Sequence, residues 1–464
     1  MSCTTLLIGK SASCSGATII ARNDDSGSGR YDPKRLVAVA PTDQPRHYRS
    51  TLSHVEIDLP DDPCRYTIAP NVLPNRGVLA EAGASERNVA MSATETIAVN
   101  ERVLAADPLV ELRPAEGVPG EAGYRPETPG GIGEEDIITL VLPYVSSARE
   151  GVERLGELLE RYGTYESNGV IISDVDEIWY VETIGGHHWI ARRVPDDCYA
   201  TIPNQLGIDD FDFSDAFGER RFFMCSADLR EFIDRHHLGR AMRPAQGAGF
   251  GVAAVLPDHI NPRVVFGTST VKDHIYNTPR AWYMPFDPYG TLGTPESRHR
   301  YRPIGINRTG HMVAIELRHD VPAAAAAVMW IAFGSGPFTA VAPFYANVDD
   351  TPAYLRDTTP EVSTDNLYWT NRLIAVIADA HWYETRNAIE YYGEQVRAFG
   401  HRLVEETDAA LADAEAGDIR AALMAANETM AGRLQDLTHK LLDNVLYTSS
   451  NLMRNSFAMS DRWV

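Results

Sequence analysis

The sequence predicts an α+β protein built of layered sheets and helices. Three observations predict it. Short β-rich runs open the chain, a long alternating stretch fills its middle, and the residues from Thr370 onward are helical almost throughout.

The opening reads as a hairpin. "CTTLLIG" and "ATIIARN" are β-rich, and the small, polar "KSASCSG" between them is a turn. "NVAMSATET" is a small-residue strand following the turn signal "EAGASER". Residues 103–135 are rich in Pro, Gly and Glu and read as an exposed loop. "REGVERLGELLERYG" has helical periodicity, with Gly163 as its stop. "GVIISDVDEIWYVETIGGHHWIARRVPDDCYATIP" then alternates as consecutive antiparallel strands, with turns near Asp174-Val175-Asp176 and Gly185-Gly186. Pro322 and the Gly334-Ser335-Gly336-Pro337 break confine one uncharged apolar run to Ala323–Phe333. That run reads as a buried helix followed by a turn and a strand. It is shorter than the ~20 residues a membrane-spanning helix needs. The tail has an expected break near Gly417. It reads as an embellishment packed on the sheet core, because "PEVSTDN" before it is too short for a flexible linker.

The 464 residues can fill one large domain or two. With 44% hydrophobic and 23% charged residues, the chain can bury a core without disulfides or metals. A formal net charge of −22, spread along the chain, argues against nucleic acid or an anionic membrane as partner. The cysteines are five in number, Cys3, Cys14, Cys64, Cys198 and Cys225, with no CxxC pair. That usage fits a reducing compartment. The N-terminus carries no basic and apolar secretory pattern. The expectation is a soluble, cytoplasmic protein.

Cys3 has two readings. One is a small buried hydrophobe. The other depends on its position. With Met1 and Ser2 removed, one residue carries both a thiol and a free α-amine. An α-amine of pKa about 7.7–8.0 suits a general base near neutral pH. It can activate a thiol of pKa about 8.5 directly or through one water. "ARNDD" ends the returning strand, so Arg22, Asp24 and Asp25 fall beside Cys3 across the hairpin. Arginine near a thiolate stabilises it by Coulomb attraction, and a carboxylate can hold an α-ammonium. Taken alone, the same residues also read as a surface ion pair at a strand end.

"CTTLLIGKSASCSGATIIARNDDSG" resembles the opening of the PepD-type cysteine dipeptidases, which are N-terminal-nucleophile hydrolases related to bile salt hydrolases and penicillin V acylases. "ERNVAMSATETI", "YATIPNQLGI", "YNTPRAWYM" and "VMWIAFGSGPFTAVAPFYANV" carry the resemblance through roughly residue 350. It implies a four-layer αββα sandwich over residues 3–369, with a mainly helical C-terminal extension over 370–464 packed on it. It implies Cys3 as nucleophile and, after removal of Met1-Ser2 (partly by self-processing), as base. Arg22 and Asp25 match the Arg-x-x-Asp pair that orients it. Asn204 in "IPNQ" matches an oxyanion-hole asparagine, although in isolation it reads as a turn residue. Thr94 falls where a backbone N–H supplies the second donor. Arg280 is the candidate for a later arginine, at different spacing. Cys14 departs from the family turn, where aspartate is expected.

The implied activity is hydrolysis of dipeptides with broad specificity, needing no cofactor and no metal, by a homo-oligomer. An amidase or acylase of the bile salt or penicillin V type on the same fold is one alternative. A non-catalytic, secernin-like protein is the other. His187 and His188 read as strand neighbours facing opposite ways, a poor metal pair. Neither a dinucleotide fingerprint nor a GxSxG elbow occurs. Trp179, Trp189 and Trp282 read as core.

Overall fold

The computed structural model describes residues 3–25, 32–208, 210–241, 248–249, 305, 307–412 and 416–453. The opening hairpin forms as expected, and it lies inside a larger sheet. That sheet runs β12 (Tyr199–Pro203), β1 (Thr4–Ile8), β2 (Thr18–Asp25), β16 (Thr309–Leu317), β17 (Ala327–Phe333), β18 (Ala342–Tyr345), antiparallel throughout. The second sheet runs β13 (Phe223–Cys225), β11 (Trp189–Val194), β10 (Ile178–Thr183), β9 (Asn168–Ser173), β8 (Ala90–Thr96), β7 (Ala82–Ser85), β6 (Tyr66–Ile68), β3 (Val37–Val39). Two short hairpins, β4–β5 (His47–Arg49, Glu56–Asp58) and β14–β15 (Arg240–Ala241, Ala248–Gly249), stand apart.

The pleat of the second sheet explains its composition. Ala90, Ile171, Ile178, Tyr180 and Ile190 join Leu7, Ile20, Val313 and Ile315 of the first sheet in one core. The intervening residues Met91, Ala93, Val170, Ile172, Trp179, Val181 and Trp189 join the opposite core. There they meet Ile137, Leu140, Val152, Leu155 and Leu159 from helices Ile137–Val141 and Ala148–Tyr162. Both faces are buried, so these strands read as near-continuous apolar runs. Ser147 caps helix Ala148–Tyr162, accepting the Glu150 N–H, and Gly163 ends it at φ 71°, a conformation glycine adopts without strain.

Helices Leu367–Asp379, Trp382–Leu411 and Ala416–Asn451 pack against the β17–β18 side of the first sheet. Residue 370 lies inside the first of them. Tyr368, Ile374, Ala375, Trp382 and Met430 share a core with Phe333 and Phe338, and Leu411, Ile419 and Leu423 pack with Val328 and Tyr345. Helices and sheets therefore stack as α, β, β, α. Gly417, where a break is expected, lies within helix Ala416–Asn451, and helix Trp382–Leu411 ends just before it in sequence; another break falls at Ala380–His381. Among the described residues, no helix is long and apolar enough to cross a membrane.

Four expectations need correction. Ala323–Phe333 is not a buried helix: a single 3-10 turn, Ala323–Ala325, precedes strand β17. Covered on both faces, β17 has no alternation to reveal its period. "EAGASER" is not simply a turn; Ala82–Ser85 is strand β7, and the reversal comes at Ser85–Asn88. The loop 103–135 begins with helix Glu101–Ala106, and its end, 130–135, is largely buried. His187 and His188 lie in the β10–β11 turn, not in a strand, and do not face apart. Both Nδ1 atoms meet the Asp107 carboxylate, at 3.0 and 2.7 Å.

The outermost strand of the first sheet is closed by a side chain. Asn427 accepts the Tyr345 N–H (2.8 Å) and donates to the Tyr345 carbonyl (3.0 Å). Asn427→Leu keeps the volume but strands two buried backbone groups. It is expected to cost about 1–3 kcal/mol in a denaturant titration. Asp107 gives a pH signature. Burial alone would raise its pKa, but hydrogen bonds from His187 and His188 outweigh it and hold the carboxyl low. The Asp107 hydrogen bond raises His187 against the opposing effect of burial. Asp107 therefore contributes stability that is lost as pH falls through its depressed pKa. The His187 contribution is complete below its ordinary value and fades as pH rises through its raised one. Asp107→Asn is expected to lower Tm at mid-pH and flatten both limbs of the Tm–pH profile.

Candidate active site

The register of three strands assembles a row of side chains at one end of the first sheet. Thr4 pairs with Asn23 on β2 and with Pro203 on β12. One residue earlier, Cys3 therefore borders Asp24 on one side and Asn204 on the other. Asp24 in turn pairs with His311 on β16. Directly opposed residues of antiparallel strands project to the same face. Asn204, Cys3, Asp24 and His311 thus share the face that looks into the sandwich.

Cys3 is 6% exposed. Its Sγ lies 3.5 Å from Arg22 Nη2 and 3.5 Å from the Asp25 backbone nitrogen, both of which donate to it. Arg22 is buried and its Nη2 also meets Glu81 Oε2 at 3.1 Å and Glu134 Oε1 at 3.4 Å. Glu81 Oε1 takes Lys34 Nζ at 3.1 Å, and the same ammonium donates to the Leu79 carbonyl at 2.8 Å. Glu166 accepts the Glu134 N–H at 2.6 Å. Asp25 is fixed by Asn23 Nδ2 at 2.9 Å and Thr309 Oγ1 at 2.5 Å.

The electrostatics follow from burial. Desolvation, reinforced by Glu81, pushes Asp24 up to about 7 against the pull of Lys34 and Arg22. Desolvation and then Glu81 also raise Glu134 well above the carboxylate range, and desolvation raises Glu166. His311, buried beside two cations, is driven well below its ordinary value and stays neutral. A guanidinium and a backbone N–H aimed at one sulfur favour its anionic form.

The expected residues fall as follows. Cys3, Arg22 and Asp25 are brought together at contact distance. Asn204 adjoins them, and its side-chain nitrogen and oxygen are buried with no hydrogen-bond partner among the described residues. Thr94 lies on β8, which packs across the sandwich from β2. It is the extra residue of a bulge: Ala93 pairs with Val170 and Glu95 with Gly169. Such a bulge takes a backbone group out of the ladder. Arg280 and Trp282 lie outside the described residues. Cys14 sits exposed in the β1–β2 turn. Sequence reading missed Lys34, Glu81, Glu134, Glu166 and His311. Only the consecutive acids Glu134-Glu135-Asp136, opening an apolar run, hinted that charge was being carried inside.

The profile of Peptidase family C69 matches residues 2–285 and 284–395. A dipeptidase of Bifidobacterium longum is 46% identical to the chain, covering 99% of it and 100% of the relative. A probable dipeptidase A of Streptococcus pyogenes serotype M18 is 44% identical over 99% of the chain and 98% of the relative. Dipeptidase A of Lactobacillus helveticus is 38% identical over 99% of each. With a thiol set into the hairpin of a two-sheet sandwich, and with relatives matching it nearly end to end, the chain belongs to peptidase family C69.

Proposed function

We propose that the chain is a cysteine dipeptidase of broad specificity whose nucleophile is Cys3, with Met1 and Ser2 removed from the working enzyme. The observation that carries this reading is the Cys3 thiol held 3.5 Å from Arg22 beside an asparagine amide that has no hydrogen-bond partner among the described residues. The thiolate attacks the scissile carbonyl. Asn204 Nδ2 and a backbone N–H at the Thr94 bulge hold the oxyanion. Donors placed where charge develops lower such a barrier by about 3–4 kcal/mol. The intermediate collapses to a thioester as the Cys3 α-ammonium gives its proton to the leaving amine. The same amine then takes a proton from water, and the hydroxide cleaves the thioester. Arg22 and Asp25 orient the cysteine rather than react.

Residues 3–369 are read as the catalytic domain and 370–464 as its cover. The cytoplasm suits five cysteines that are all free thiols. A homo-oligomer is taken from the family resemblance.

Intact mass and a dipeptide panel test the mechanism. Wild type is expected to begin at Cys3 and to cleave dipeptides, and Cys3→Ala to lose that activity. A wild type that keeps Met1 yet matches Cys3→Ala on every dipeptide would make Cys3 structural. Asn204→Ala is expected to lower kcat about 10²–10³-fold with KM little changed. Steady-state kinetics on one dipeptide would check this; a change confined to KM would remove Asn204 from the oxyanion hole.

A further inference from the structure

Each acid around Cys3 except one is already engaged. Glu81 holds both Arg22 and Lys34. Glu134 pairs with Arg22. Glu166 accepts the Glu134 N–H, and Asp25 is taken by Asn23 and Thr309. Asp24 has no hydrogen bond or ion pair to any described residue, although it stands next to Cys3 across the hairpin and faces the same interior. A second observation points to a ligand at this place. His311, 1% exposed and paired with Asp24 across β2–β16, leaves its Nε2 buried without a hydrogen-bond partner among the described residues. A carboxylate one strand from the thiol and an imidazole two strands from it thus stand side by side.

We propose that Asp24, assisted by His311 Nε2, binds the α-ammonium of the substrate's first residue, which restricts the enzyme to peptides with a free amino terminus. The inference rests on the dipeptidase reading of the same site. Bond geometry supports the placement. In a dipeptide the α-nitrogen lies about 2.5 Å from the scissile carbonyl carbon, given bonds of about 1.46 and 1.52 Å at Cα. A carbon poised for attack stands about 3–3.5 Å from the sulfur. Side chains on directly opposed strand residues start only about 4.5–5.5 Å apart. An ammonium so positioned falls within ion-pair reach of the carboxylate opposite Cys3. The cation would relieve the desolvation and the Glu81 repulsion that oppose ionisation of Asp24. His311, neutral under the influence of burial, Lys34 and Arg22, does not repel an ammonium and can accept from it.

The test compares wild type, Asp24→Asn and Asp24→Glu on Ala-Ala and on N-acetyl-Ala-Ala. The Cys3 alkylation rate with iodoacetamide, the intact mass and a melting curve accompany each. The expected result is that wild type cleaves Ala-Ala and spares the acetylated form. Asp24→Asn should raise KM for Ala-Ala about 10–100-fold, with kcat and alkylation held within a few-fold. Asp24→Glu should recover part of that loss, which guards against a folding defect in the amide variant. If Asp24→Asn keeps KM but slows both kcat and alkylation, Asp24 holds the enzyme's own α-amine and the inference is overturned. Equal cleavage of the acetylated substrate by wild type overturns it as well. In both cases the dipeptidase reading survives. A wild type that cleaves no dipeptide overturns that reading and this inference with it.

Discussion

The burial of Arg22 is the constraint on which the site depends. A guanidinium withdrawn from water costs several kcal/mol unless it is matched by opposite charge and hydrogen bonds. The match here comes from three directions. Glu81 precedes β7, Glu134 ends the long loop after helix Glu101–Ala106, and the Cys3 thiol closes the hairpin. Lys34 then balances Glu81 from a fourth segment. Glu81 links the two cations: it pairs with both Arg22 and Lys34, and removing it would strip Lys34 of its carboxylate and leave Arg22 only Glu134. The network therefore contributes little to net stability but fixes where the sulfur sits. A sulfur held at the end of a strand, with donors locked by their own partners, keeps its position without reorganisation.

The sandwich supplies the dry surroundings that give these charges their effect. The second sheet is covered on one face by the first sheet and on the other by helices Ile137–Val141 and Ala148–Tyr162. Low dielectric strengthens each ion pair and raises Asp24, Glu134 and Glu166 together. Irregularities mark the strands that border the site. The register of β16 shifts between Thr309 and His311, and that of β8 shifts between Ala93 and Glu95. The first lets Thr309 reach Asp25 while His311 stays in the row with Asp24 and Cys3.

What could be read from the sequence divides along physical lines. The hairpin, helix Ala148–Tyr162 and the run β9 to β12 carried local signals: a small polar turn, an amphipathic face closed by Gly163, and turn residues between apolar runs. Strand β17 misled because "AVMWIAF" is buried on both faces, which erases the period that separates strand from helix. The acids at 134–136 misled in the opposite direction. A Pro- and Gly-rich stretch reads as solvent-exposed, yet its last residues turn inward to meet Arg22, Ser50 and Tyr48. A buried carboxylate looks like an exposed one until its partner is located. His187 and His188 read as strand residues because the alternation runs on past Gly185-Gly186; the turn extends over both, and Asp107 collects them.

The sequence by itself determined the α+β class, the opening hairpin and the residue types suited to terminal-thiol chemistry. Short-range rules govern each: alternation, turn residues, and the placing of Cys3 beside Arg22, Asp24 and Asp25 across a hairpin. Tertiary structure alone decided the rest of the pocket. Asn204 reaches Cys3 because β12 pairs with β1 and leaves the sheet formed by its sequence neighbour β11. His311 reaches Asp24 through a pairing nearly three hundred residues apart in the chain. Glu81 and Glu134 reach Arg22 only once the two sheets close over each other. Burial and long-range pairing set those contacts, and neither leaves a periodic trace in the sequence.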